Sequence, residues 1–134
     1  MNFSIEHLGI PATDPVALKN WYVRVLDARP VWDNCQRPPS SLVALAGGAM
    51  LEIYPANPGP NPGRSDNQLA GFRHLALRVD SLDAARAELT GRVVRFTGEI
   101  RSAAGGGKVL FFEDGEGNLL HLVERPVDST LVIK

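Results

Sequence analysis

A degenerate internal repeat is the strongest constraint in this sequence, and two of its three histidines open the two copies. His7 begins the stretch HLGIPATDPVAL, and His74 begins HLALRVDSLDAA. In each stretch a His-Leu pair and alternating apolar residues lead into a polar cap and then a helix-like run. The chain is therefore expected to fold as two copies of one small module that contains both a strand and a helix.

The third histidine, His121, and the carboxylate Glu52 lie near the ends of the two halves at almost matching offsets. Glu52 follows His7 by 45 residues, and His121 follows His74 by 47 residues. Unrelated core histidines would have no reason to follow the repeat, so this common register favours one metal site. Imidazole nitrogens and a carboxylate oxygen suit a divalent ion such as Zn, Ni, Co, Mn or Fe.

The pattern of each half predicts a strand, a helix and then further strands. Helices are predicted over 14–26 and 82–90, where Asp14-Pro15 and Asp80-Ser81 supply capping side chains. The predicted strands cover residues 3–10, 29–32, 42–45, 49–54, 72–79, 93–96, 99–101, 108–113 and 119–124. This order predicts the α+β class with two βαβββ modules.

Proline and glycine dominate residues 55–70, which are predicted to link the two modules. The modules cover about 1–56 and 70–126, and the length of 134 residues fits a single domain. The tail after residue 126 is too short to assign from its sequence.

Composition excludes several classes of function. The formal net charge of -1 gives no electrostatic support for nucleic-acid binding. No apolar run approaches the ~20 residues needed to span a bilayer, and the N-terminus lacks a secretory pattern. Cys35 is the single cysteine, so no intrachain disulfide can form, and a cytoplasmic location is expected.

Three segments resemble the vicinal oxygen chelate superfamily, which includes glyoxalase I, bleomycin- and fosfomycin-resistance proteins and extradiol dioxygenases. IEHLGIPATD with NWYVRVLDARPVW resembles its opening strand and helix, and FRHLALRVDSLDAARAEL the start of its second module. KVLFFEDGEGNLLHLVE resembles its closing hairpin. The resemblance covers residues 3–126 and implies a curved mixed sheet around a cleft, formed by the two modules.

The resemblance also implies a divalent metal held by residues on four strands, at positions that match His7, Glu52, His74 and His121. The last position is usually glutamate in this family, and here it is histidine. Glu52 is then the only carboxylate of the set, which departs from glyoxalase I and from the two-histidine, one-carboxylate dioxygenases.

The function implied is a metal-dependent lyase or isomerase of the glyoxalase-like class that chelates vicinal oxygens of a small substrate, with Glu52 as proton shuttle. An extradiol-type dioxygenase and a non-catalytic binding or resistance protein are the alternatives. The expected partners are a small-molecule substrate and a second copy in a homodimer, with neither nucleic acid nor membrane.

Several other residues have two interpretations from the sequence. Arg78 shares a strand face with His74, and it either binds an anionic substrate or is a solvated arginine. Tyr54 shares the face of Glu52, and it either hydrogen-bonds a ligand or packs. Glu124 is expected to be a surface or sheet-edge residue, and the glycine run 105–107 a loop at the rim of the site rather than a phosphate loop.

Overall fold

The structure is a computed structural model that describes residues 1–131. The chain divides into two compact units, a first unit of Met1–Pro60 and a second unit of Asn61–Lys134. Within the described residues, neither helix has the length and apolar character that a bilayer crossing requires. The boundary between the units falls inside the predicted linker.

The first unit consists of one helix and one mixed four-stranded sheet. Its elements are β1 (His7–Ala12), α1 (Pro15–Leu26), β2 (Arg29–Asp33), β3 (Ser41–Ala44) and β4 (Met50–Pro55). The strand order is β1-β4-β3-β2, in which β1 and β4 are parallel and the other pairs are antiparallel. The first and last strands of the unit are therefore neighbours.

The second unit repeats this arrangement. Its elements are β5 (His74–Arg78), α2 (Leu82–Gly91), β6 (Arg101–Ser102), β7 (Lys108–Glu113) and β8 (Leu119–Glu124). The strand order is β5-β8-β7-β6, again with the first and last strands parallel. The predicted α+β class with two βαβββ modules is confirmed.

Both helices begin where the sequence places capping side chains. The Asp14 carboxylate accepts a hydrogen bond of 3.0 Å from the Ala17 amide, with Pro15 in the first helical position. The Ser81 hydroxyl accepts one of 3.1 Å from the Ala84 amide. The helix α1 ends at Leu26, because the next residue, Asp27, has a left-handed φ of 55° that stops the helical backbone.

Each helix covers one face of the sheet in its own unit, and this leaves the other face for chemistry. In the first unit fully buried apolar side chains from the helix and from the sheet face it covers form the core: Leu18, Tyr22, Val25, Val43, Leu51 and Ile53. The corresponding core of the second unit is Leu82, Leu89, Leu110, Phe112, Leu120 and Leu122. Because strand side chains alternate, Glu52 and His121 each lie on the face of their own sheet that the helix does not cover.

The predicted strand over 93–96 is wrong, and the strands predicted over 3–10, 72–79 and 99–101 begin two or more residues later in the structure. Residues 93–96 form no strand: Val93 has a φ of 68°, its amide bonds the carbonyl of Thr90, and only a single bridge joins Phe96 to Phe112. The left-handed backbone after α2 prevents extension there. The first strand begins at His7 instead of residue 3, because β4, its partner, pairs only from Met50 onwards.

The glycine-rich loop between β6 and β7 is closed by hydrogen bonds. The Ala103 amide bonds the carbonyl of Gly107 at 3.0 Å, and the Arg125 guanidinium donates to the carbonyls of Ala104 and Gly106. Gly107 has a φ of 104°, and a Cβ on it would overlap the carbonyl oxygen of Glu124. The predicted rim loop is thus a hairpin turn packed against the end of β8.

Candidate metal centre

In the first unit the structure brings His7 and Glu52 together. Gly9 pairs with Glu52 across the parallel strands β1 and β4, and His7 lies two residues earlier on the same face. The Nε2 atom of His7 is 3.8 Å from Oε2 of Glu52. Both side chains are partly exposed, at 39% and 38%, so this pair is open to an ion or a ligand.

The other ring nitrogen of His7 has a partner. Its Nδ1 lies 2.8 Å from Oε1 of Glu6, the preceding residue. An ionised carboxylate only accepts hydrogen bonds, so Nδ1 donates to Glu6, and in the neutral ring Nε2, the nitrogen nearer Glu52, is the acceptor. Carboxylate–imidazole pairs of this kind orient metal-binding histidines.

In the second unit His74 of β5 and His121 of β8 lie ring to ring. Ala76 pairs with His121 across the two parallel strands, which puts both histidines on one face. Their ring centroids are 4.5 Å apart, and the planes are inclined at 49°. The ring of Phe111 contacts both, at 5.8 Å from His74 and 4.8 Å from His121.

The two imidazoles of this pair differ in their surroundings. His74 donates from Nδ1 to the amide oxygen of Asn67 at 2.7 Å, and this leaves Nε2 as an acceptor. The Nδ1 of His121 is buried and has no hydrogen-bond partner among residues 1–131. Burial is the main cause that lowers the pKa of His121 to about 4, and the positive charge of Arg125 and, when protonated, of His74 adds to it. His121 is therefore neutral at pH 7, with an unpaired nitrogen.

Asn67 comes from the predicted linker, whose second half packs onto the second unit. The Arg64 guanidinium donates to the carbonyl of Glu116 at 2.7 Å, and Arg73 donates to the carbonyl of Gly63 at 3.2 Å. These bonds hold the segment between them against the turn that precedes β8. Asn67 could not be identified from the sequence, because no strand or helix periodicity points to a residue in such a segment.

The remaining candidates have other contacts. The Arg78 guanidinium donates to the carbonyl of Leu131 at 2.9 Å and so fastens the tail. Tyr54 packs over Gly9, where an added Cβ would lie 3.3 Å from its ring. The expectation for Glu124 was wrong, because its carboxylate accepts from the Leu82 amide at 2.6 Å at the start of α2. Residues 132–134 of the tail lie outside the described residues.

The donor set fits a divalent ion. Three imidazoles and one carboxylate match the nitrogen and oxygen ligands that first-row metals prefer. The unpaired Nδ1 of His121 is a buried polar atom for which a metal would be a suitable partner. Across residues 1–131, however, three or more His, Cys, Asp or Glu side chains nowhere form a metal-holding group, so the ligands occur as one pair in each unit.

A cavity of about 420 Å³ in the first unit lies apart from these pairs. Its lining comes from α1, from the adjoining ends of β2 and β3, and from the segment between these strands: Val16, Lys19, Asp33, Arg37, Pro39 and Ser41. Ser41 pairs with Ile53, one position from Glu52, so it points to the helix-covered face of the sheet. None of the predicted site residues contributes to it.

Known proteins with similar sequences and folds cover almost the whole chain. YwkD of Bacillus subtilis, an uncharacterized protein, is 31% identical over 91% of this chain and 97% of its own. A glyoxalase family protein from Enterococcus faecalis is 28% identical over 90% of this chain and 97% of its own, with a TM-score of 0.76. TnmS3, an antibiotic binding protein from Streptomyces sp. CB03234, is 25% identical over 94% and 99%, with a TM-score of 0.71.

A more distant protein shares the fold alone. FosX, a fosfomycin resistance protein from Listeria monocytogenes whose crystal structure contains Mn(II), has a TM-score of 0.64 at 16% identity over 97% of this chain and 94% of its own. The family model described as Glyoxalase/Bleomycin resistance protein/Dioxygenase superfamily matches residues 4–122. With its repeated βαβββ units, the chain belongs to the glyoxalase/bleomycin resistance protein/dioxygenase superfamily.

Proposed function

We propose that this protein is a metal-dependent enzyme of the glyoxalase-like lyase or isomerase type, with His7, Glu52, His74 and His121 as the ligands of a divalent ion. The observation that carries the proposal is the second-unit pair. One of its imidazoles is oriented by Asn67, and the other is neutral with a buried, unpaired nitrogen. A histidine pair that served only packing would have no need of either feature.

A bound divalent ion would supply Lewis acidity to two adjacent oxygens of a small substrate. The chain's own residues do the rest. His74 and His121 bind as neutral nitrogen donors, and Glu6 keeps the Nε2 lone pair of His7 available. Glu52, partly exposed, removes a proton from the carbon beside the polarised carbonyl and returns it elsewhere on the substrate.

The histidine at position 121 limits the proton chemistry to one base. Glu52 is the sole carboxylate in the set of four, and His121 is neutral and buried. A reaction in which one group both removes and returns a proton fits this set better than one that needs two carboxylates. Isomerisation, or elimination with a single base, is therefore the reaction type proposed.

The proposal includes a homodimer in a reducing compartment. Three apolar side chains next to the first strands of the two units are almost fully exposed: Phe3 at 90%, Ile5 at 87% and Phe72 at 95%. Apolar groups in this state favour a protein partner, and a second copy is the occupant proposed. Cys35 is exposed and unpaired, in keeping with the cytoplasm.

A non-catalytic role in binding a small molecule is the second candidate. The similarity to the antibiotic binding protein TnmS3 favours it. A measurement of turnover distinguishes the two candidates, because a protein that only binds its ligand does not require proton transfer by Glu52. A dioxygenase would require Fe(II) or Mn(II), so retention of redox-inert zinc would argue against that chemistry.

The test measures metal content and proton exchange together. The protein is loaded separately with Zn, Ni, Co and Mn, desalted, and analysed for metal per chain, with about one ion expected. Exchange of the carbon-bound protons of hydroxyacetone with D2O is then followed by NMR. Replacing Glu52 by Gln is expected to slow this exchange at least about 100-fold.

The matched control is Glu99→Gln, which removes an exposed carboxylate outside both pairs. It is expected to leave metal content and exchange unchanged. Failure of the wild type to retain any of the four metals would contradict the metal proposal. Metal retention without proton exchange would favour the binding protein.

Asn67 provides a separate prediction about metal affinity. Replacing Asn67 by Ala is expected to weaken metal binding about 10–100-fold, because His74 loses the group that fixes its proton and its orientation. The adjacent Gln68→Ala variant removes an exposed amide of similar chemistry and serves as the control. Competition with a coloured chelator measures both affinities, and equal values for the two variants would contradict the orienting role of Asn67.

A further inference from the structure

A cation is stacked on the aromatic ring that joins the two histidines of the second unit. The guanidinium carbon of Arg101 in β6 is 5.9 Å from the ring centroid of Phe111 in β7. That ring contacts both His74 and His121. A guanidinium within about 6 Å of an aromatic face is attracted to it, so the ring holds Arg101 beside the histidine pair.

The strand register explains why this arginine lies on the same face as the ligands. Arg101 pairs with Val109, and Phe111 pairs with His121. Paired residues point to the same side of a sheet, and so do residues two apart on one strand. Arg101, Phe111 and His121 therefore line one surface, opposite the face that α2 covers.

Arg101 also differs from the other arginines near this surface. Arg78 donates to the carbonyl of Leu131, and Arg125 to two carbonyls of the glycine loop. Within residues 1–131 the guanidinium of Arg101 has neither a hydrogen bond nor an ion pair, and the residue is exposed. The guanidinium contacts the ring through its flat face, so the N–H groups at its edge remain available for hydrogen bonds to an anion.

We infer that Arg101 is the anion-recognition group of the proposed site, and that the substrate carries a carboxylate or phosphoryl group next to its vicinal oxygens. This inference rests on the proposed function for the location of the reacting atoms. A guanidinium matches the planar or tetrahedral oxyanions of these groups with paired, charge-assisted hydrogen bonds. Anion binding, one of the two interpretations of Arg78 from the sequence, is therefore assigned to Arg101.

The test uses the metal-free full chain, so that contact with the anion is separated from contact with a metal. Methylphosphonate and acetate are titrated separately, and NMR shifts of the Phe111 and His121 rings are followed. Saturable binding of at least one anion is expected, and the better of the two identifies the class. Arg101→Gln is expected to weaken that binding at least about tenfold.

Two variants complete the design. Arg95→Gln removes another exposed arginine of the same segment and is expected to bind like the wild type. Arg101→Lys keeps the positive charge but loses the paired N–H donors of the guanidinium, and an intermediate affinity for the anion is expected. Absence of saturable binding in the wild type, or equal binding by Arg101→Gln, would overturn the inference. The metal content of each protein is measured in parallel, so loss of the metal proposal would appear as missing metal with the Arg101-dependent binding intact.

Discussion

Replacing His121 by leucine is expected to abolish metal retention and, in the metal-free protein, to raise the free energy of unfolding by about 1 kcal/mol. The unpaired Nδ1 of His121 is buried without a hydrogen bond among residues 1–131, which costs stability. Leucine fills a similar volume next to Phe111 and removes that polar atom. A ligand required for binding would thus be a liability for folding.

Urea unfolding of the chelator-treated proteins and metal analysis of the reloaded proteins measure the two effects. His74→Leu is the matched control, because His74 is exposed and satisfied by Asn67. That variant is expected to lose the metal without the gain in stability. If His121→Leu instead destabilised the metal-free protein by several kcal/mol, His121 would be a packing residue, and the metal proposal would lose its main support.

Replacing Gly107 by alanine is expected to lower the free energy of unfolding by roughly 2–5 kcal/mol. Two effects add at this position. The φ of 104° is one that side-chain-bearing residues rarely adopt, and the new Cβ would overlap the backbone carbonyl oxygen of Glu124. A carbonyl within a strand ladder cannot rotate away as a side chain can, so the end of β8 must shift.

The neighbouring Gly106 separates these two effects. Its φ is 94°, but an added Cβ would only reach ordinary contact with Pro126, at 3.8 Å. Gly106→Ala is therefore expected to cost the backbone strain alone, about 1–2 kcal/mol. Equal urea midpoints for the two variants would mean that the end of β8 shifts without a measurable cost in stability, and would contradict the contribution from the overlap of the new Cβ with Glu124.

The helices and most strands of the two modules could be predicted from the sequence, because the patterns that indicate them involve residues close together in the chain. Asp14-Pro15 and Ser81 mark helix starts through contacts three residues away, and alternation identifies the sheet faces. The left-handed backbone at Val93 lacks such a signal, because valine seldom adopts it. The strand predicted over 93–96 failed for this reason.

The candidate ligands were predictable, and the groups around them were not. The repeat identified His74 and His121, and parallel pairing of the first and last strands of the unit brings them together. Asn67 reaches His74 only because arginines anchor its segment through backbone carbonyls, which no side-chain pattern records. For Arg78 the strand face left an anion ligand and a solvated arginine both open, and its bond to the Leu131 carbonyl depends on tertiary structure that the sequence pattern does not record.

The parallel pairing of the first and last strand in each unit also sets the order of events during synthesis. His7 cannot meet Glu52, nor His74 meet His121, until the final strand of the unit has left the ribosome and docked. Contacts that close such long loops form late in folding. Each pair of candidate ligands therefore assembles only after the last strand of its unit has paired with the first.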